Sequence, residues 1–104
     1  MKAAIPIKNG CLNQYFDSTQ FFAILKEDGE RLGVQKIIKV ADFGGNHQIL
    51  VNSLKNEGVD TVIAGIIETK TRRSLSLGGL EIISGFSGEI EKIAEEFLKK
   101  YRRL

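Results

Sequence analysis

The 104 residues fit one domain, since a single hydrophobic core usually serves about 100 to 150 residues. Apolar residues make up 42% and charged residues 27%, enough apolar surface to offset the ordering entropy that keeps polar chains disordered, so a compact soluble fold is expected. Fifteen Lys and Arg against thirteen Asp and Glu leave a net charge of +2, short of the basic excess that phosphate-backbone binding demands, and no nucleic-acid partner is expected.

The single Cys, Cys11, excludes an intrachain disulfide and any zinc or iron-sulfur site built from cysteines alone, and fits a reducing compartment. The first ten residues hold five apolar side chains and Pro6, too few for the core of a signal peptide. No apolar run reaches the ~18 residues of a membrane helix, so the expectation is a cytoplasmic protein without membrane contact.

In chain order, residues 3–7 form an apolar run bounded by Lys8, Asn9 and Gly10, read as a buried first strand, although Pro6 withholds one ladder donor. A polar loop follows to about Thr19, then a second strand over residues 21–25. Asp28 and Gly29 precede a third strand over residues 32–40, a turn signal that predicts an antiparallel hairpin. Asn46 is a cap and Gly58 a stop for a first helix carrying Ile49, Leu50 and Leu54. Residues 59–67 are continuously apolar at their centre, as expected of a strand covered on both faces. Thr69 caps a second helix to about Leu77, and residues 80–83 form the last strand. From Ser87 a final helix places Ile90, Ile93, Ala94, Phe97, Leu98 and Tyr101 on one face, with Glu89 and Glu91 at its start and Lys99, Lys100, Arg102 and Arg103 at its end, matching the helix dipole.

This order predicts a single α/β domain over residues 1–104: a mixed five-stranded sheet, order 3-2-1-4-5 with strand 2 antiparallel, and helices on both faces. In such sheets ligands sit beyond the carboxyl ends of the strands. The loops reaching that edge carry Cys11, Asp17, Asp42, His47 and Glu68, and helix starts arrive at Asn46, Thr69 and Ser87. Helix amino ends carry unpaired donors and a partial positive charge, which suits an anionic ligand, and Gly44, Gly45, Gly85 and Gly88 allow close backbone approach. Cys11 and His47, the only thiol and only imidazole, are the candidate metal ligands. GxSxG, Walker A, GxGxxG and HExxH sequences are all absent, the first strand holds no carboxylate for a nuclease-type metal site, and Cys11 with His47 lacks an identifiable orienting group; no catalytic residue is assigned.

The opening MKAAIPIKNG, the following NQYFDSTQFFAIL and the stretch NEGVDTVIAGIIETKTRRSLSLGGLEII together resemble the dinitrogenase iron-molybdenum cofactor biosynthesis family, with GVDTVIAG (58–65) the most specific part. The resemblance implies a ribonuclease H-like three-layer fold and a role in binding rather than turnover. The protein would transiently hold an iron-sulfur or iron-molybdenum cluster, or its anionic precursor, and exchange it with a cluster donor or acceptor protein. By the same resemblance Tyr15 and Asp17 fall in a loop that commonly reads His-Phe-Gly. Gly65 and Glu68 bound one that commonly reads Gly-Gly-Ile-Gly. With Cys11, Gly45, Asn46, His47 and Thr69 these form the expected cofactor-binding set. The departures at Tyr15, Ile66 and Glu68 crowd that site and add a negative charge, so the alternative is a regulatory or protein-interaction module that has lost cluster binding.

Overall fold

The structure is a computed structural model that describes residues 1–40, 43 and 46–101. Six strands form a mixed sheet: β1 (Lys2–Lys8), β2 (Cys11–Leu12), β3 (Phe21–Asp28), β4 (Arg31–Lys39), β5 (Thr61–Ile63) and β6 (Glu81–Ile83). The order across the sheet is β4-β3-β1-β5-β6, with β2 paired to β1 off this path. β3 runs antiparallel to β1 and β4, whereas β5 runs parallel to β1 and β6. Three helices complete the chain: α1 (His47–Asn56), α2 (Thr69–Leu77) and α3 (Ile90–Tyr101).

Period-two burial divides the core into two sets. Ala4, Phe22, Ile24 and Val62 face α1 and α2, joined by Leu50, Leu54 and Leu75. Ala3, Ile5, Ala23, Leu25 and Ile63 face the opposite way, against Ile90, Ile93, Ala94 and Phe97 of α3. Ala3 and Ala4 on the central strand are fully buried, one on each side. The three layers thus follow from strand alternation and from the apolar stripe of α3.

Pro6 is compatible with this central strand for a local reason. The carbonyls of Lys2 and Pro6 both point toward the β5 side, accepting from Asp60 N at 3.1 Å and Asn13 N at 2.8 Å. The proline nitrogen points the same way, but pairing with β5 covers only Ala3 and Ala4, so the β1–β5 ladder misses no donor. Beyond β5 the chain changes partner: Ile66 N donates to Gln14 O and Phe16 N to Ile66 O. This is why the strand expected over residues 59–67 narrows to Thr61–Ile63.

Two hairpins shape the edges. Asn9 and Gly10 both have positive φ, as a two-residue type I′ turn requires, and set Lys8 opposite Cys11. The loop expected after the first strand therefore begins with a sixth strand, β2. Between β3 and β4 Asp28 pairs with Arg31, so the turn residues are Gly29 and Glu30, one position later than the Asp-Gly signal indicated.

Within the α1/α2 layer the rings of Phe16, Phe22 and Phe43 pack edge-on or tilted with centroids 5.6 to 5.9 Å apart. Phe16 comes from a short 3-10 turn (Phe16–Ser18) and plugs the β2–β3 loop into the core. Phe16→Ala is expected to cost about 3 to 5 kcal/mol by cavity formation, whereas Leu77→Ala, at an 83% exposed position, stays within about 0.5 kcal/mol. Urea denaturation of both variants checks this; equal midpoints would contradict the assigned core.

Candidate functional site

The site begins with that plug. With Phe16 fixed between β3 and the post-β5 segment, Asp17 is presented to the start of α2. Its Oδ2 accepts from the backbone N–H of Glu68 at 3.0 Å, and its Oδ1 accepts from the hydroxyl of Thr71. Glu68, the residue preceding the helix, makes no side-chain cap bond of its own. The expected cap Thr69 is instead the first helical residue, and α2 is capped by a carboxylate from 51 positions earlier in the chain. Negative charge at a helix start is favourable, so Asp17 occupies part of the electropositive end that was expected to meet an anionic ligand.

The network continues into α1. His47 Nε2 lies 3.3 Å from Thr71 Oγ1, and His47 Nδ1 lies 2.8 Å from Ser74 Oγ. A carboxylate only accepts, so Thr71, fully buried, gives its single proton to Asp17. Its oxygen is then the acceptor for His47 Nε2–H, which leaves Nδ1 to accept from the Ser74 hydroxyl. The result is a directed chain from Ser74 through His47 and Thr71 to Asp17 that links α2, α1 and the β2–β3 loop.

Asn46 caps α1 as expected, its Oδ1 accepting from Gln48 N at 3.1 Å. Asn46, His47, Gln48, Val51, Ser74, Leu77 and Gly78 line a cavity of about 430 Å³ between α1 and α2. Among the described residues its polar side chains are amides, a hydroxyl and the imidazole, with no carboxylate. At Gly78 a Cβ would meet Val51 Cγ1 at 2.6 Å, so the glycine lets the two helices approach at the cavity floor.

The remaining expected residues fall elsewhere. Cys11 is held in β2, opposite Lys8 and bridged to Glu89 at the entrance to α3. Its neighbour Leu12 packs among the α3-side core residues. His47 belongs to the α1/α2 layer, where its ring nitrogens meet Thr71 and Ser74, whereas Cys11 sits in the β1–β2 hairpin beside the start of α3. Among the described residues, no group of three or more His, Cys, Asp or Glu side chains converges as a metal site. The space over Gly65 is taken by the side-chain amide of Gln14. Tyr15 and Ile66 bridge side by side and are both exposed. Asp42, Gly44 and Gly45 lie outside the described residues. Sequence reading did not single out Thr71 and Ser74, two and five positions past Thr69.

Thr71→Val removes the hinge of the chain while keeping shape. It leaves Asp17 Oδ1 and the His47 N–H each short of a partner, for a loss of about 1 to 3 kcal/mol in denaturant unfolding. Paired with Asp17→Asn it should show a coupling of about 0.5 to 3 kcal/mol in a double-mutant cycle. Long-range nitrogen-proton NMR of the wild type should show His47 protonated on Nε2; protonation on Nδ1 alone would refute the direction of the chain.

Comparison with known proteins follows the same outline. Residues 1–100 match the family described as dinitrogenase iron-molybdenum cofactor. A protein provisionally assigned as a dinitrogenase from Methanocaldococcus jannaschii superposes with TM-score 0.76 at 21% identity, covering 96% of this chain and 89% of that one. The apo form of the orange protein from Desulfovibrio gigas gives TM-score 0.73 at 14% identity, covering 95% and 88%. A protein from Thermotoga, provisionally assigned as NifB and placed in the DUF35 family, gives 0.67 at 19%, covering 97% and 89%. These likenesses concern the fold. A comparison with curated proteins finds no match. No helix among the described residues is long and apolar enough to cross a membrane. On the match over nearly its full length, the chain belongs to the dinitrogenase iron-molybdenum cofactor family.

Proposed function

We propose that the protein is a non-catalytic carrier or accessory protein, acting in a reducing cytoplasm, for an anionic iron-sulfur or iron-molybdenum cofactor precursor that it exchanges with a donor or acceptor protein. The observation that carries this reading is the family match over residues 1–100. The α1–α2 cavity adds chemical support. It presents hydrogen-bonding amides, a hydroxyl and the chain's one imidazole to a cargo, with no carboxylate among the described lining residues. A preassembled cluster brings its own sulfide ligands and needs few from the protein, which suits a donor set that offers no cage for a bare ion. His47 is the candidate ligand, through Nδ1 in exchange for its bond to Ser74. Cys11 is a second candidate, for a cargo held against β2.

One observation favours the second reading, a protein-interaction or regulatory module without cargo: the Asp17 carboxylate already sits on the start of α2. Anaerobic incubation with iron and sulfide, and separately with a loaded cluster-donor protein, distinguishes the two by visible absorption. Loading of the wild type, reduced by at least about tenfold in His47→Ala and retained in Cys11→Ser, is the expected outcome. No loading from either source would overturn the carrier reading, and loss in Cys11→Ser alone would move the ligand to the thiol.

A further inference from the structure

The α3 side of β4 carries apolar surface that the core does not use. β4 is an edge strand paired only to β3 among the described residues, so its outer N–H and C=O groups form an open ladder. Its register with β3 shifts between Ile24 and Leu25, where Ile24 pairs with Lys36 and Leu25 with Val34, leaving Gln35 as an extra residue. That extra residue has a consequence for facing. Val34 pairs with Leu25 and Ile37 with Ala23, both on the α3 side, so Val34 and Ile37 share a face although they are three apart. Without the bulge one of them would turn to the other side. They are 51% and 55% exposed.

Two cavities meet along this strand. One, of about 460 Å³, runs between β4 and α3 over Leu25, Leu32 and Leu98. The other, of about 220 Å³, continues past Val34 over Ile7, Ile37 and Ile90. Among the described residues the charged groups along them are Glu30, Glu91 and Glu95 in the first, Glu89 and Glu91 in the second, and one cation, Arg31. Of the other β4 cations, Lys36 is on the opposite face and pairs with Glu57 at 3.2 Å, and Lys39, beyond Ile37, lies over the Phe21 ring. Glu89 has only an exposed contact with Lys92 at 3.8 Å. An apolar floor with an acidic rim beside an unpaired strand edge favours an apolar, cationic segment. It disfavours a second copy, because antiparallel self-pairing of β4 about Gln35 would set Arg31 against Lys39.

We propose that the groove between β4 and α3 docks an extended segment of a partner protein, added as a strand to β4, whose α3-facing side chains alternate apolar residues with Lys or Arg. This docking does not depend on the cargo reading. The test uses a synthetic peptide of repeated Val-Thr-Lys-Thr, which as a strand carries Val and Lys on one face, and a control with Glu in place of Lys. Amide NMR titration of the full chain should map perturbations to β4 and the first half of α3, with binding weakened by added salt. Glu91→Lys with Glu95→Lys should weaken it about tenfold while leaving the fold intact. Equal binding of the acidic control, no binding up to millimolar peptide, or perturbations away from β4 would overturn the proposal. A wild-type dimer in sedimentation equilibrium that Ile37→Lys dissolves would also overturn it, assigning the groove to a second copy.

Discussion

The carboxylate of Asp17 joins three parts of the chain that share no sequence neighbourhood. It caps α2 through Glu68 N and takes the Thr71 proton, which in turn orders the ring of His47 at the start of α1. Hydrogen bonds to a charged group are worth more than neutral ones, and burial of Thr71 raises the cost of leaving any member unpaired. Apolar contacts hold α1 and α2 on the sheet, but they leave rotation and slide of the two helices to be fixed. The directed chain of polar groups supplies that registration, and the absence of a side chain at Gly78 permits the close approach it needs.

The same interaction changes the electrostatics of the carboxyl edge. A helix start with nothing before it presents unpaired donors to a ligand. Here a side chain from the β2–β3 loop answers one of them and brings a full negative charge with it. For the proposed anionic cargo this leaves the space between the helices, where the cap and first turn of α1 (Asn46, His47 and Gln48) face Ser74.

Much of the scaffold was legible because its signals are local. The stripe from Ile90 to Tyr101 has helical spacing, and α3 buries Ile90, Ile93, Ala94, Phe97 and Leu98 along it. The continuous run around Val62 marks a strand covered on both sides, and Thr61–Ile63 are all buried. The Asp28-Gly29 pair marked a real hairpin, displaced by one residue. The equally local Asn9-Gly10 signal was read only as a boundary, so β2 and the placement of Cys11 were missed. What had no local signal was the pairing of Asp17 with Thr71 across 54 positions. Reasoning from sheet topology delivers loops to an edge, but not to a face of that edge. Cys11 and His47 come to the same end of the strands, but one is held in a hairpin and the other in a side-chain network with separate partners.

That division has a functional logic. The α1/α2 face holds the polar network and the cavity with the imidazole, whereas the α3 face holds the bulged edge strand and its acidic apolar groove. β1 separates them with one alanine on each side, Ala3 and Ala4, so the sheet between is thin and fully packed. In the proposed carrier role, a cargo would have to remain reachable while the proposed partner is held. Two opposed faces meet this requirement without a moving part, since a partner strand on β4 leaves the α1–α2 cavity open. A single shared face would instead make docking and cargo binding compete for the same surface.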